Sequence, residues 1–163
     1  MRATSFLLAG LVCLAGCDQN KHQNITIHGK DGNVAISGDG QHFTIHSSDG
    51  KSTVDINTNG GASVGNLPSF VSVYPGAKVM TSATGTSATG TGGTLVLEIK
   101  ASPAEVLGFY KQKAAGAGFK EEASMNMGGT QMFTAKSGDR TVQIVTSDAG
   151  GGTTHAQVNW SGK

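Results

Sequence analysis

The chain has 163 residues, 12 Lys+Arg against 11 Asp+Glu, 25 glycines and 14% charged side chains. So even a balance, with no cluster of Lys and Arg, leaves no electrostatic means of gripping nucleic acid or an anionic lipid surface. Abundant glycine and few aromatics suit a β-rich, loop-rich secreted protein. At the start, Met1-Arg2 precedes residues 6–16, an unbroken run of apolar or small side chains. Those eleven residues fall short of the ~20 a membrane-spanning helix needs, so residues 1–16 read as a cleaved secretory signal.

Leu14-Ala15-Gly16-Cys17 closes that run, and there the chain resembles a bacterial lipoprotein precursor. The resemblance implies that diacylglycerol is attached to the Cys17 thiol, that cleavage precedes Cys17, and that the new amino terminus is acylated. Two or more chains anchor stably where one is marginal. The implied product is a lipoprotein of the cell envelope, held on a membrane through Cys17 and facing the periplasm. Asp18 after the lipidated residue leans that expectation toward the inner membrane. Cys13 leaves with the signal, so no thiol remains for a disulfide or a thiolate metal site. Removing Arg2 from the 12 basic side chains leaves 11, equal to the 11 acidic ones.

After a short tether at 17–23, residues 24–57 repeat one unit, an alternating strand followed by a glycine turn. The apolar pairs are Ile25/Ile27, Val34/Ile36, Phe43/Ile45 and Val54/Ile56, separated by Asp31-Gly32, Asp39-Gly40 and Asp49-Gly50. Asp-Gly between alternating runs is a strong hairpin signal, because glycine supplies the positive φ. The pattern predicts a four-strand meander. Two large apolar residues per strand are too few for it to stand alone. It is expected to dock on the rest of the chain or to form a partly ordered stalk.

Residues 58–67 read as a linker, and 68–163 as a second region. An extended stretch, 70–74, runs into a turn at Pro75-Gly76. Residues 81–94 contain Thr-Ser-Ala-Thr-Gly twice and read as a mobile low-complexity loop. Leu95, Leu97 and Ile99 mark a strand. Ser102-Pro103-Ala104-Glu105 is a capping box with proline at the first helical position. Val106, Leu107, Phe109, Tyr110, Lys113, Ala114 and Ala117 carry the helical stripe, which Gly118 ends. Gly108 inside the helix suggests a close approach to a sheet. Four further strands follow, with turns at Gly128-Gly129 and Ser137-Gly138-Asp139. The expected class is therefore α+β: a short β-hairpin repeat segment, then one helix packed on an antiparallel sheet.

Tyr74-Pro75-Gly76-Ala77, then Ser102, Glu105-Val106, Phe109-Tyr110 and Gly118-Phe119, resembles the "YPGA" α+β domain of uncharacterised prokaryotic envelope proteins. The likeness covers roughly residues 68–161. It implies a fold and no reaction. The long Thr/Gly tract before Leu95 departs from it.

Two side-chain sets invite chemistry. His28, His42 and His46 share the polar side of the meander, but His42 and His46 stand ~13 Å apart along one strand. That spacing disfavours a single metal centre and favours a solvated face. Met125, Met127 and Met132 form the other set. A two-residue turn at Gly128-Gly129 places Met125 opposite Met132, gathering thioethers of the kind that select Cu(I), although methionine more often fills a core. No phosphate-binding loop, nucleophile elbow or zinc helix motif occurs, and Glu121-Glu122 point to opposite faces of a regular strand. No catalytic residues and no cofactor are expected. The leading reading is a non-enzymatic binding or scaffolding lipoprotein with an envelope protein partner and no nucleic acid. The competing one is a periplasmic metal or small-ligand carrier using those His or Met side chains.

Overall fold

The computed structural model describes residues 23–29, 32–47, 49–58, 64 and 67–163. The signal at 1–16, Cys17, Asp31 and most of 58–67 lie outside them. The strands are β1 (Gln23–Gly29), β2 (Gly32–Gly38), β3 (His42–Ser47), β4 (Thr53–Asn57), β5 (Lys78–Ser87), β6 (Gly90–Ile99), β7 (Lys120–Met127), β8 (Thr130–Ser137), β9 (Arg140–Gly150) and β10 (Thr153–Gly162); one helix, α1 (Pro103–Gly116), lies between β6 and β7. All ten strands join one antiparallel sheet in the order β1-β2-β3-β4-β5-β6-β10-β9-β8-β7.

This architecture corrects the expected α+β class. The described residues are predominantly β, a single wide sheet with one short helix on part of it. The physical reason lies in the Thr/Gly tract. Residues 81–94, expected as a mobile loop, form most of the β5–β6 hairpin, from Ser82↔Leu95 to Ser87↔Gly90. β5 also takes β4 on its other side, Thr53–Asn57 against 82–86. Threonine favours the pleated backbone, and pairing on both sides over 82–86 and 91–94 satisfies backbone groups that a loop would leave to water. The meander is thus stabilised as part of the continuous sheet.

Its turns follow the sequence. Gly40 and Gly50 have φ of +89° and +66°. Asp39 Oδ1 accepts from the backbone N–H of Gln41 and His42. Asp49 accepts from the Ser47 hydroxyl and the Lys51 N–H, which together hold its carboxyl below the usual range. Gly128 and Gly129 are both left-handed, at +51° and +98°, as a type I′ hairpin requires.

The apolar side of the sheet changes over along its width. Leu95, Leu97, Ile99, Val142, Ile144, Ala156, Val158 and Trp160 face α1 and are buried. Register carries that face across β5 at Ser82 and onto Asn57 and Asp55 of β4, where polar side chains occupy it. There Thr44 Oγ1 donates to Asp55 Oδ1 at 2.9 Å. The apolar residues of β1–β4 lie on the far face, where Ile25 and Ile27 remain 50% and 54% exposed. The helix packs on β8, β9 and β10 and reaches β7 through Lys111, at the other end of the sheet from this half.

The helix follows its capping signals. The Ser102 hydroxyl accepts from the Glu105 N–H, and the Glu105 carboxylate accepts from the Ser102 hydroxyl and N–H, which lowers its pKa. Beyond the helix, Gly118 sits at φ +78°, and the Phe119 N–H returns to the Ala114 carbonyl at 2.9 Å. Val106, Leu107, Tyr110 and Ala114 are the buried positions, whereas Phe109 and Ala117 are half-buried and Lys113 exposed. Gly108 does not mark a close approach: a Cβ there meets nothing within 4 Å. Gly108→Ala should therefore stabilise by about 1 kcal/mol and raise the melting temperature by roughly 2–4 °C, read by circular dichroism. A fall would show that the helix needs that glycine.

Candidate functional site

Residues 67–77 form a strap that meets α1 at Phe109 and the segment after it at Phe119. Its Val71 is buried, and Tyr74 closes the turn by accepting from the Ala77 N–H at 3.0 Å, with Gly76 at φ +75°. That turn sets the Tyr74 ring edge-on to Phe109, centroids 4.9 Å apart, and Phe109 meets Tyr110 at 5.1 Å. At the other end the Phe70 and Phe119 rings stand 5.2 Å apart, and the Arg140 guanidinium lies over both, 5.4 and 5.2 Å from their centres. Arg140 also donates to Ser137 Oγ at 3.0 Å, which ties strap, helix end and the β8–β9 turn together. Burial pushes the Tyr110 phenol well above its usual value.

Between the strap and the last two turns of α1 runs an open groove of about 690 Å³, walled by Phe70 and Phe109 and rimmed by Ser69, Ser72, Gln112 and Lys113. Its size lies within the range of small-molecule sites, and apolar walls with a few polar groups are their usual chemistry. Lys113 Nζ sits 5.5 Å from the Phe109 ring centre, placing a positive charge at the rim. A second groove, about 620 Å³, crosses the β5–β6 hairpin end and is lined by Ser, Thr and Gly with Asp139 and Lys163. A third, about 230 Å³, opens on the sheet face away from α1. There Gln157 donates to Asn159, and Asn159 to Gln143.

His42 and His46 are not brought together, being four residues apart on one strand. His42 and His46 both lie on the α1 side of β3, opposite Asn57 and Thr53, and His46 Nδ1 contacts Thr53 Oγ1 at 3.2 Å. His28 holds the register position opposite Asn33, and its side chain is not among those described. No group of three His, Cys, Asp or Glu suited to a metal occurs among the described residues. The methionines do come together. Met125 pairs directly with Met132, Met127 lies two residues along β7, and all three share the face away from α1. Phe133 points the other way into the core. The β7 strand carries a bulge at Glu122, while Glu121 pairs with Lys111 at 3.4 Å.

The groove was not legible in the chain. Phe70 lies in the strap and Gln112 and Lys113 in α1, and the extended stretch 70–74 before the turn at Pro75-Gly76 carries no sign that it folds back on the helix. The stretch that carries α1 and the sheet beneath it has a known counterpart. Residues 78–158 match the START domain-like family model. The matched region runs from β5 into β10, just under half of the 163 residues. It suggests a ligand-binding domain and is compatible with a non-enzymatic binding role. Neither the curated proteins nor the solved structures yield a match.

Proposed function

We propose that the protein is a non-enzymatic, lipid-tethered binding protein of the cell envelope, with its ligand seat in the groove between α1 and the strap. The observation that carries the binding role is the START domain-like match over residues 78–158, which includes all of α1. The groove supports the placement, since the layer between α1 and the sheet is filled by core side chains. The fitting ligand has a flat or aliphatic body for Phe70 and Phe109 and an anionic or acceptor group for Lys113 and Gln112. The tether is the lipid on Cys17, which places that seat at a membrane surface on the periplasmic side.

Anilinonaphthalene sulfonate has this chemistry and reports burial by its fluorescence. The Cys17→Ser protein should enhance the dye's emission. Phe109→Ala or Lys113→Glu should each weaken dye binding about tenfold, a loss of roughly 1.4 kcal/mol. Lys163→Glu, at the hairpin-end groove, should leave it unchanged. Equal binding by all four proteins would remove the groove from consideration.

A further inference from the structure

We propose that Met125, Met127 and Met132 form a Cu(I) site at the β7–β8 hairpin, separate from the ligand groove. The argument begins with exposure. Met125 and Met127 are 46% and 65% exposed, on an edge strand whose residues are all exposed, so neither fills a core. Register then fixes the geometry. The type I′ turn at Gly128-Gly129 closes on Met127↔Thr130, and two residues further Met125 stands directly opposite Met132.

Directly opposed Cβ atoms are ~5 Å apart and diagonal ones ~7–8 Å. Residues two apart on a strand are separated by ~6.6 Å. The three Cβ atoms thus form a triangle whose centre lies about 4 Å from each corner. Three rotatable bonds let each sulfur swing toward that centre. Gln143 Nε2 contacts Met132 Sδ at 3.8 Å from the neighbouring strand, steadying one corner.

A neutral set of three thioethers has no charge to offer a hard cation. It selects soft Cu(I) over Zn(II), Mg(II) or Ca(II). Binding involves no electron transfer in the protein; the ion arrives reduced and remains so.

The test is an anaerobic titration of Cu(I) against bicinchoninate, with the full chain carrying Cys13→Ser and Cys17→Ser so that no thiol competes. One Cu(I) per chain should be withdrawn from the chromophore. Met125→Leu and Met132→Leu should each weaken binding at least roughly tenfold, the lower end of what losing even an outer partner costs a metal site. The triple leucine variant should abolish it. Leucine conserves volume at these positions, and unchanged circular dichroism checks the fold. Met80→Leu, in β5, should bind as the parent does. Failure to compete with bicinchoninate overturns the proposal, as does retention of Cu(I) by the triple variant. Binding of Cu(II) alone would also overturn it and point to the histidines.

Discussion

Gly93→Ala should destabilise the protein by about 3 kcal/mol, the upper end of what overpacking costs, and lower its melting temperature by roughly 6–12 °C. Gly93 lies in β6 directly opposite Trp160, which is 5% exposed and belongs to the core. A Cβ at Gly93 would stand 2.3 Å from Trp160 Cζ2 and 2.4 Å from the Ala83 carbonyl oxygen of β5. Both contacts are far inside van der Waals distance. The second is with backbone paired into the same hairpin, so relief requires the strands to part. Gly85→Ala provides the contrast, because its nearest neighbour would be Val54 Cγ2 at 3.6 Å. Thermal unfolding followed by circular dichroism should separate the two variants clearly. Trp160→Phe added to Gly93→Ala should recover only part of the loss, since the Ala83 clash persists. Equal melting temperatures for Gly93→Ala and the parent would show that the ring and strand yield freely.

Cys17→Ser should move the protein almost completely from washed membranes to the soluble fraction. Acyl chains contribute about 0.8 kcal/mol per buried CH₂, so two or more of them outweigh any contact a neutral protein surface makes with headgroups. Among the described residues no helix is long and apolar enough to cross a membrane, so no described helix offers a second anchor. Serine is close in size and lies six residues before β1 begins at Gln23, so the fold should be undisturbed. Unchanged circular dichroism together with solubility gives the expected result. A variant that stays with washed membranes would remove the lipid tether from the proposed function. It would leave the groove untouched, because dye binding is measured on purified protein.

Local signals carried far in this chain. The capping box at Ser102, the stop at Gly118 and the Asp-Gly turns at 39–40 and 49–50 rest on contacts within a few residues, and each forms as read. The Met125↔Met132 pairing was legible for the same reason, since a two-residue glycine turn dictates register on both flanks. Gly108 shows where such reading stops. A glycine within a helix suggests a neighbour, but only the helix's rotation over the sheet decides whether one is there, and here the position faces open space.

The sequence by itself determined the short-range elements: the helix and its ends, the hairpin turns, and the alternation within the meander. It also supplied the apolar leader that ends just before Cys17, from which the envelope reading comes. Only the tertiary structure decided the class, because residues 81–94 lack the apolar alternation that marks a strand. They become β5 and β6 through partners distant in sequence, β4 on one side and β10 on the other, with glycine at 93 making room for Trp160. It decided as well that the apolar residues of β1–β4 lie on the face opposite the helix. That outcome turns on the β4–β5 register, where a slip of one residue would exchange the faces. The groove beside α1 is decided in the same way, by a strap whose seat depends on Phe70, Phe119 and Arg140 meeting from three segments. Contacts within a turn are set by bond rotations that neighbouring residues control, whereas pairing between distant strands is set by what each excludes from water once the whole sheet has formed.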